Sequence, residues 1–356
     1  MARYLLMDVG AGTLDLLYYD NATALHYKAV VKSPAVRLAE CIEASRGDLL
    51  ITGREMGGGR LAEVLRRRAA QDRVMIARSA SATLHHNPDR VRDLGLEILS
   101  AEEVAATTRN SCSEMVFGDI DAKWVRTVVA TLGVPFEFDA VGVCVQDHGV
   151  PPEGVSHLDY RHQLFVERLA GTPRPHALLY RADAIPATMN RLASAAADAG
   201  RLSADRVYVM DSGMAAILGA SQDPGVRHMD PVLVLDIATS HTVGATVAGG
   251  ELAGFFEYHT HAVTPERLAG LMRQLADGTL THAGVLAEGG HGAYIRKPVG
   301  FDNIAAIVAT GPKRALIAGV DLPITWGAPL GDNMMTGTLG LLQAIRRREG
   351  QPEIPV

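Results

Sequence analysis

Two stretches of the chain place an aspartate where an apolar strand runs into a turn of small residues. Near the start, LLMDVGAGTLDLLYYD carries Asp8 ahead of Gly10-Ala11-Gly12-Thr13. Later, VLVLDIATSHTVGATVAG carries Asp236 ahead of Ala238-Thr239-Ser240. A turn without bulky side chains exposes several backbone N–H groups, and such groups cradle phosphate oxygens. A carboxylate beside them repels phosphate directly but can hold a hydrated divalent cation that meets it. Two such turns facing each other would clamp a polyphosphate from both sides, with the Thr13 and Thr242 hydroxyls adding hydrogen bonds. Asp8 and Asp236 are therefore the candidate catalytic carboxylates, Asp8 positioning the cation and Asp236 acting as cation partner or water-orienting base. Asp236 follows Asp8 by 228 residues, too long for a solenoid period but suited to a duplicated, two-lobed chain. Asp15 is expected to face solvent from the returning strand.

Other residues offer different chemistry. His259 and His261 stand two apart at a strand end, which sends both to one side, so they are candidate metal ligands with His241, Glu257 or His282 as partners. Solvated or core-satisfied histidines are the competing assignment. Cys144, Asp147 and His148 suit a metal cluster or a nucleophile–base pair, although Cys144 reads as an inward strand residue. Gly57-Gly58-Gly59-Arg60 is a candidate anion-binding turn at a helix start, and Arg66–Arg68 a solvated helix face. The three cysteines, Cys41, Cys112 and Cys144, fit neither a disulfide framework nor a zinc-finger spacing.

The elements that must position these groups are legible in outline. Strands are predicted over Tyr4–Asp8, Leu14–Tyr19, Leu49–Thr52, Ala140–Val145, Val232–Leu235, Thr242–Ala248 and Glu251–His259. Helices are predicted over Ser33–Ala44, Arg60–Ala70, Ala101–Ala106, Trp124–Leu132, Ala184–Ala199, Met214–Ala220 and Asn333–Arg348. Val150–Arg161 and Gly171–His176, rich in Pro, Gly and His, are expected to be loops. A second strand-turn-strand unit is expected to begin at Arg206–Met210, giving an N-terminal lobe over 1–200 and a C-terminal lobe over 201–356. The 356 residues are 47% hydrophobic and 21% charged, with a net charge of −6, ordinary globular chemistry that speaks against nucleic acid or an anionic membrane as partner. The apolar run at the N-terminus breaks at Asp8, too short for a signal core. A cytoplasmic protein with a small-molecule ligand is expected.

In order and spacing the motifs resemble the superfamily of actin, sugar kinases and heat-shock chaperone ATPases. Asp8–Thr13 resembles its first phosphate loop, Asp211–Ala220 its first connecting helix and Asp236–Gly244 its second phosphate loop. Thr310-Gly311-Pro312 resembles the adenosine loop, and Gly331–Leu342 the closing connecting helix. The resemblance implies an α/β, two-lobed actin-like (ribonuclease H-like) duplicated fold with an interlobe cleft, taking ATP with Mg2+. Gly10, Ala11, Gly12, Thr13, Thr239, Ser240 and Thr242 would then bind phosphates, and Thr310, Gly311 and Lys313 would flank the adenosine. Within the superfamily, FEYHTHAVTPERL, ATGPKR and GAPLGDNMMTGTLGLL resemble an uncharacterised prokaryotic family sometimes labelled pyruvate formate-lyase activating enzyme related. That label implies radical chemistry on an iron–sulfur cluster, which needs three or four closely placed thiolates. Three cysteines scattered over the chain do not supply them. One departure stands out: Ile237–His241 contains no glycine, which restricts how closely backbone approaches phosphate. The alternative is a non-catalytic actin-like scaffold binding another ligand, or a metal through His259 and His261.

Overall fold

A computed structural model describes residues 2–107, 112–152 and 154–354. The chain opens with an antiparallel meander, β1 (Arg3–Val9), β2 (Thr13–Asp20) and β3 (Leu25–Lys32). Tyr4 to Met7 of β1 are fully buried, as expected for a central strand covered on both faces. Each such side chain contributes on the order of 1.5–3 kcal/mol of hydrophobic stabilisation. Helix α1 (Pro34–Ala44) follows, with the Ser33 hydroxyl accepting from the Val36 N–H and Pro34 in the first turn, as the sequence predicts.

A small module then intervenes. It comprises β4 (Leu49–Gly53), α2 (Leu61–Ala69), β5 (Val74–Ala77), α3 (Arg78–Ser81), α4 (Pro88–Arg92), β6 (Glu97–Leu99), α5 (Ala101–Ala106) and β7 (Ser113–Phe117). Its strands form a separate parallel sheet, in the order β6-β5-β4-β7, over its own apolar core. The chain returns through α6 (Ala122–Thr131), β8 (Phe138–Val145), α7 (His157–Gly171), β9 (Leu179–Arg181), α8 (Asn190–Ala199) and β10 (Ala204–Asp211). The first main sheet is ordered β3-β2-β1-β8-β10-β9. Two expectations are revised here. The segment predicted to open the second unit at Arg206–Met210 is β10, which pairs in parallel with β8 in the first sheet, so that sheet runs on to Asp211 beyond the expected boundary at 200. And His157–Arg161, predicted as loop, is the start of α7.

The second half contains α9 (Ser212–Ala220), β11 (Val232–Ile237), β12 (His241–Ala248), β13 (Glu251–His259), α10 (Pro265–Asp277), α11 (His282–Ala287), β14 (Gly292–Ile295), β15 (Ala306–Thr310), β16 (Ile324–Trp326) and α12 (Thr336–Arg348). Its sheet is ordered β14-β13-β12-β11-β15-β16. The two main sheets share a pattern: an antiparallel meander whose first strand pairs in parallel with the next long strand, β1 with β8 and β11 with β15. This repeat is the duplicated actin-like fold. Helices α9 and α12 cross between the halves with Gly219 and Gly340 at the crossing, where a Cβ would collide with the other helix's backbone. Among the described residues no helix is long and apolar enough to cross a membrane.

Candidate functional site

The strand pairing brings both aspartate corners to one cleft of about 350 Å³ between the halves. Asp8 and Asp236 occupy the same position of β1 and β11, each two residues before its turn. The first turn is closed by a hydrogen bond from the Gly10 N–H to the Thr13 carbonyl at 2.9 Å, the second by Ala238 N–H to His241 carbonyl at 3.0 Å. The turns meet across the cleft: a Cβ on Gly12 would lie 3.2 Å from the Thr239 hydroxyl oxygen. Asp8 accepts from the Ser212 hydroxyl at 3.0 Å. Its carboxylate lies so close to the first turn of α12 that any Cβ at Gly337 would collide with it.

Asp15 corrects an expectation. It sits directly opposite Asp8 on β2, 8% exposed, and lines the cleft where the sequence suggested solvent. One of its carboxylate oxygens is buried without a hydrogen-bond partner. Burial and the Asp8 charge push its pKa up to about 8. Burial raises Asp8 to about 7, with Asp236 and Asp211 adding to the rise and the Ser212 bond opposing it. Burial also lifts Asp236 to about 6, opposed by the Thr310 hydroxyl, which donates to Asp236 Oδ1 at 2.8 Å. Facing carboxyls of this kind, one with an orphaned oxygen, fit a hard divalent cation, whose charge would favour their ionised forms.

A second cluster, missed in the sequence, lies deeper. Arg161 of α7 is 5% exposed and bridges the halves. It donates to Asp211 Oδ2 at 2.9 Å and also ion-pairs with Glu257 of β13. Gln146 donates to the other oxygen of Glu257. Burial opposes the charge on Glu257, but Arg161 and the neighbouring histidines outweigh it and hold the carboxyl below its usual range. Arg191 makes a two-pronged pair with Asp119, at 2.9 and 3.0 Å. The Asp119 carboxylate also accepts from the Gly57 N–H at 3.1 Å, so the anion bound by the Gly57–Gly59 turn is a side chain of the protein itself.

The predicted site residues separate into groups. Asp8, Gly10, Ala11, Thr13, Asp236, Thr239, Ser240 and Gly311 line the cleft. Thr242 does not: the register equates His241, not Thr242, with Thr13, and Thr242 with inward-facing Leu14. Thr242 is fully buried and its hydroxyl pairs with that of Thr260 at 3.0 Å. Thr310 is equally buried and spends its hydroxyl on Asp236. Lys313 uses its backbone N–H on the Ile237 carbonyl at 2.9 Å, tying the predicted adenosine loop to the second turn, while the residue as a whole is exposed.

The histidine pair is also rearranged. His259 ends β13, but His261 falls in the following 3-10 turn, where strand alternation no longer applies. The group that converges is His241, His259 and His291. His282 instead stacks on His162 at 3.7 Å and meets Asp159. Burial lowers His241 to about 4 and His148 to about 3. Cys144 is buried within the first sheet, its thiol pushed up by burial. The Asp147 carboxylate is engaged by the backbone N–H groups of Gly149 and Leu192, at 2.8 and 2.9 Å. None of the three cysteines is in a disulfide.

Fold and site together define a two-lobed actin-like protein with an acidic corner and a histidine-lined wall in its interlobe cleft. The chain belongs to the family described as "Putative pyruvate format-lyase activating enzyme (DUF1786)", whose model matches residues 56–316. No curated protein matches it in sequence. Among solved structures it is similar to the PilM-PilN type IV pilus biogenesis complex, at 12% identity and TM-score 0.39, covering 96% of this chain and 98% of that one. It is also similar to a ROK family glucokinase from Streptomyces griseus in complex with glucose and AMPPNP, at 10% identity and TM-score 0.35, covering 95% and 97%. Against the Lmo2764 protein from Listeria monocytogenes, at 10% identity and TM-score 0.27, the match covers 70% of this chain and 48% of the other, so it spans about half that protein's length.

Proposed function

We propose that the cleft binds a nucleoside triphosphate of the ATP type together with Mg2+, and that its chemistry is phosphoryl transfer or hydrolysis coupled to movement of the lobes. The observation that carries this reading is the meeting of two small-residue turns over Asp8, Asp15 and Asp236. The backbone N–H groups of Ala11 to Thr13 and of Thr239 and Ser240 are the phosphate donors, with the Thr13, Thr239 and Ser240 hydroxyls beside them. Asp8 and Asp15 hold the cation, which would neutralise phosphate charge in the cleft. Asp236, fixed by Thr310, orients the attacking group. Gly311 and Pro312, which line the cleft, would pack against the base.

The second turn lacks glycine, so its contribution leans on hydroxyl groups more than on close backbone approach. Thermal unfolding with and without nucleotide tests the reading. Mg-ATP at about 100 times its Kd should add roughly 2.7 kcal/mol if only the folded state binds. Asp8→Asn should remove most of that gain. Absence of any shift with ATP, ADP, GTP or CTP in the wild type would overturn the proposal.

A further inference from the structure

The structure assigns a site for a zinc-type divalent cation to His241, His259 and His291, separate from the carboxylate corner. His241 opens β12, His259 ends the neighbouring strand β13, and the register pairs them directly. His291 immediately precedes β14, the next strand of the same sheet, and its N–H donates to the Glu257 carbonyl at 2.8 Å. Three strands thus deliver three imidazoles from the same end of the sheet. One ring nitrogen of each lies within 4.8 Å of the other two.

One pair of ring nitrogens already has nearly the spacing of ligation, and His241 would close in to complete the set. His259 Nε2 and His291 Nε2 are 3.0 Å apart. Two nitrogens on a tetrahedral zinc, each about 2.0–2.1 Å from the metal, are separated by about 3.3 Å. His241 Nε2 is buried without a hydrogen-bond partner, an arrangement that coordination would satisfy. Behind the ring of His291, Nδ1 is buried without a hydrogen-bond partner and lies 3.5 Å from Glu257 Oε1, so a small shift would give it the carboxylate that metal-binding histidines commonly have. Imidazole donors select first-row cations such as zinc over magnesium. Three ligands leave a fourth position for water or for a ligand entering from the cleft, which His241 and Glu257 line.

Cobalt(II) titration of tag-free, chelator-treated protein provides the test. The wild type should take up one equivalent of Co2+ with visible absorption of low-coordinate cobalt, and Zn2+ should displace it. His241→Ala and His291→Ala should each weaken uptake at least tenfold, whereas His261→Ala should bind like the wild type. X-ray absorption of the zinc-loaded wild type needs no variant to fold, and should show imidazole scattering from three ligands. Less than half an equivalent of Co2+, a shell of oxygen alone, or loss of binding in His261→Ala would overturn the assignment. Asp8→Asn should keep full Co2+ uptake even where Mg-ATP no longer stabilises it, so failure of one site is read separately from failure of the other.

Discussion

Replacing Asp15 with asparagine should stabilise the protein at alkaline pH and cost up to about 2 kcal/mol at acid pH, where the buried amide has no charge to relieve. Asp15 titrates near 4 when unfolded but at about 8 in the folded chain, because it is buried opposite Asp8. Its folded pKa is raised, so between these two values the unfolded chain is ionised while the native chain keeps the proton. Stability is therefore highest below about pH 4 as far as this group is concerned, and falls as pH rises toward 8. The slope is about 1.4 kcal/mol per pH unit at full strength, or about 4 kcal/mol from roughly pH 5 to pH 8. Asparagine keeps the shape and removes the charge, but its amide must still be accommodated, so the net gain at about pH 8 is about 2–4 kcal/mol. With an unfolding entropy of about 2.1 cal/mol/K per residue, that gain raises Tm by about 3–5 °C for a chain of this length. Calorimetric scans of both proteins from about pH 5 to 8 read this directly. Mg2+ added at the alkaline end should stabilise the wild type and not Asp15→Asn. Parallel pH profiles for the two proteins would refute the assignment of Asp15 to the acidic corner.

Three further outcomes follow from named contacts. Arg161→Met leaves Glu257 and Asp211 as uncompensated buried charges and should cost about 3–5 kcal/mol in calorimetric stability, with part recovered on adding Glu257→Gln; a loss below about 1 kcal/mol would show that the pair is not buried as described. Gly337→Ala pushes a methyl group into the Asp8 carboxylate, so thermal stabilisation by Mg-ATP should disappear while the circular dichroism spectrum is retained, and an unchanged nucleotide shift would contradict the geometry. Thr310→Val deletes the hydrogen bond to Asp236 and should raise that carboxyl above about 6. The midpoint of the pH dependence of Mg-ATP binding should then move up by under about one pH unit, the worth of one hydrogen bond of about 1 kcal/mol. A downward move would contradict that role.

The aspartate corners were legible because strand, acidic residue and small turn are contiguous, so local sequence carries the whole pattern. The connecting helix after Asp211 was legible for the same reason: the Asp211 side chain caps its first turn at Met214. What sequence hid was long-range pairing. β10 looks like the start of a new unit until its partner β8 is seen. Arg161 lies near the start of a helix that follows a stretch rich in proline, glycine and histidine, and nothing nearby announces Asp211 or Glu257 as its partners. His291 is 32 residues from His259 and reaches it only because β14 pairs with β13. The HxH spacing pointed to the right strand end and the wrong second ligand, because strand alternation stops where the 3-10 turn begins.

Register also shows where the two halves have parted. Asp8 faces Asp15, whereas Asp236 faces Val243 at the equivalent place. Asp8 has Cys144 beside it on the parallel strand, whereas Asp236 has Thr310, which holds it by a hydrogen bond. Thr13 in the first half is matched by His241 in the second, so the position that offers a hydroxyl to one side of the cleft offers an imidazole to the other. The first corner thus concentrates carboxylates and small turns, which suits a hard cation and phosphate. The second keeps a single fixed carboxylate and adds nitrogen donors from two neighbouring strand ends, which suits a softer cation. Duplication gave both halves the same backbone corner; a few side chains at matched positions separate what each corner can bind.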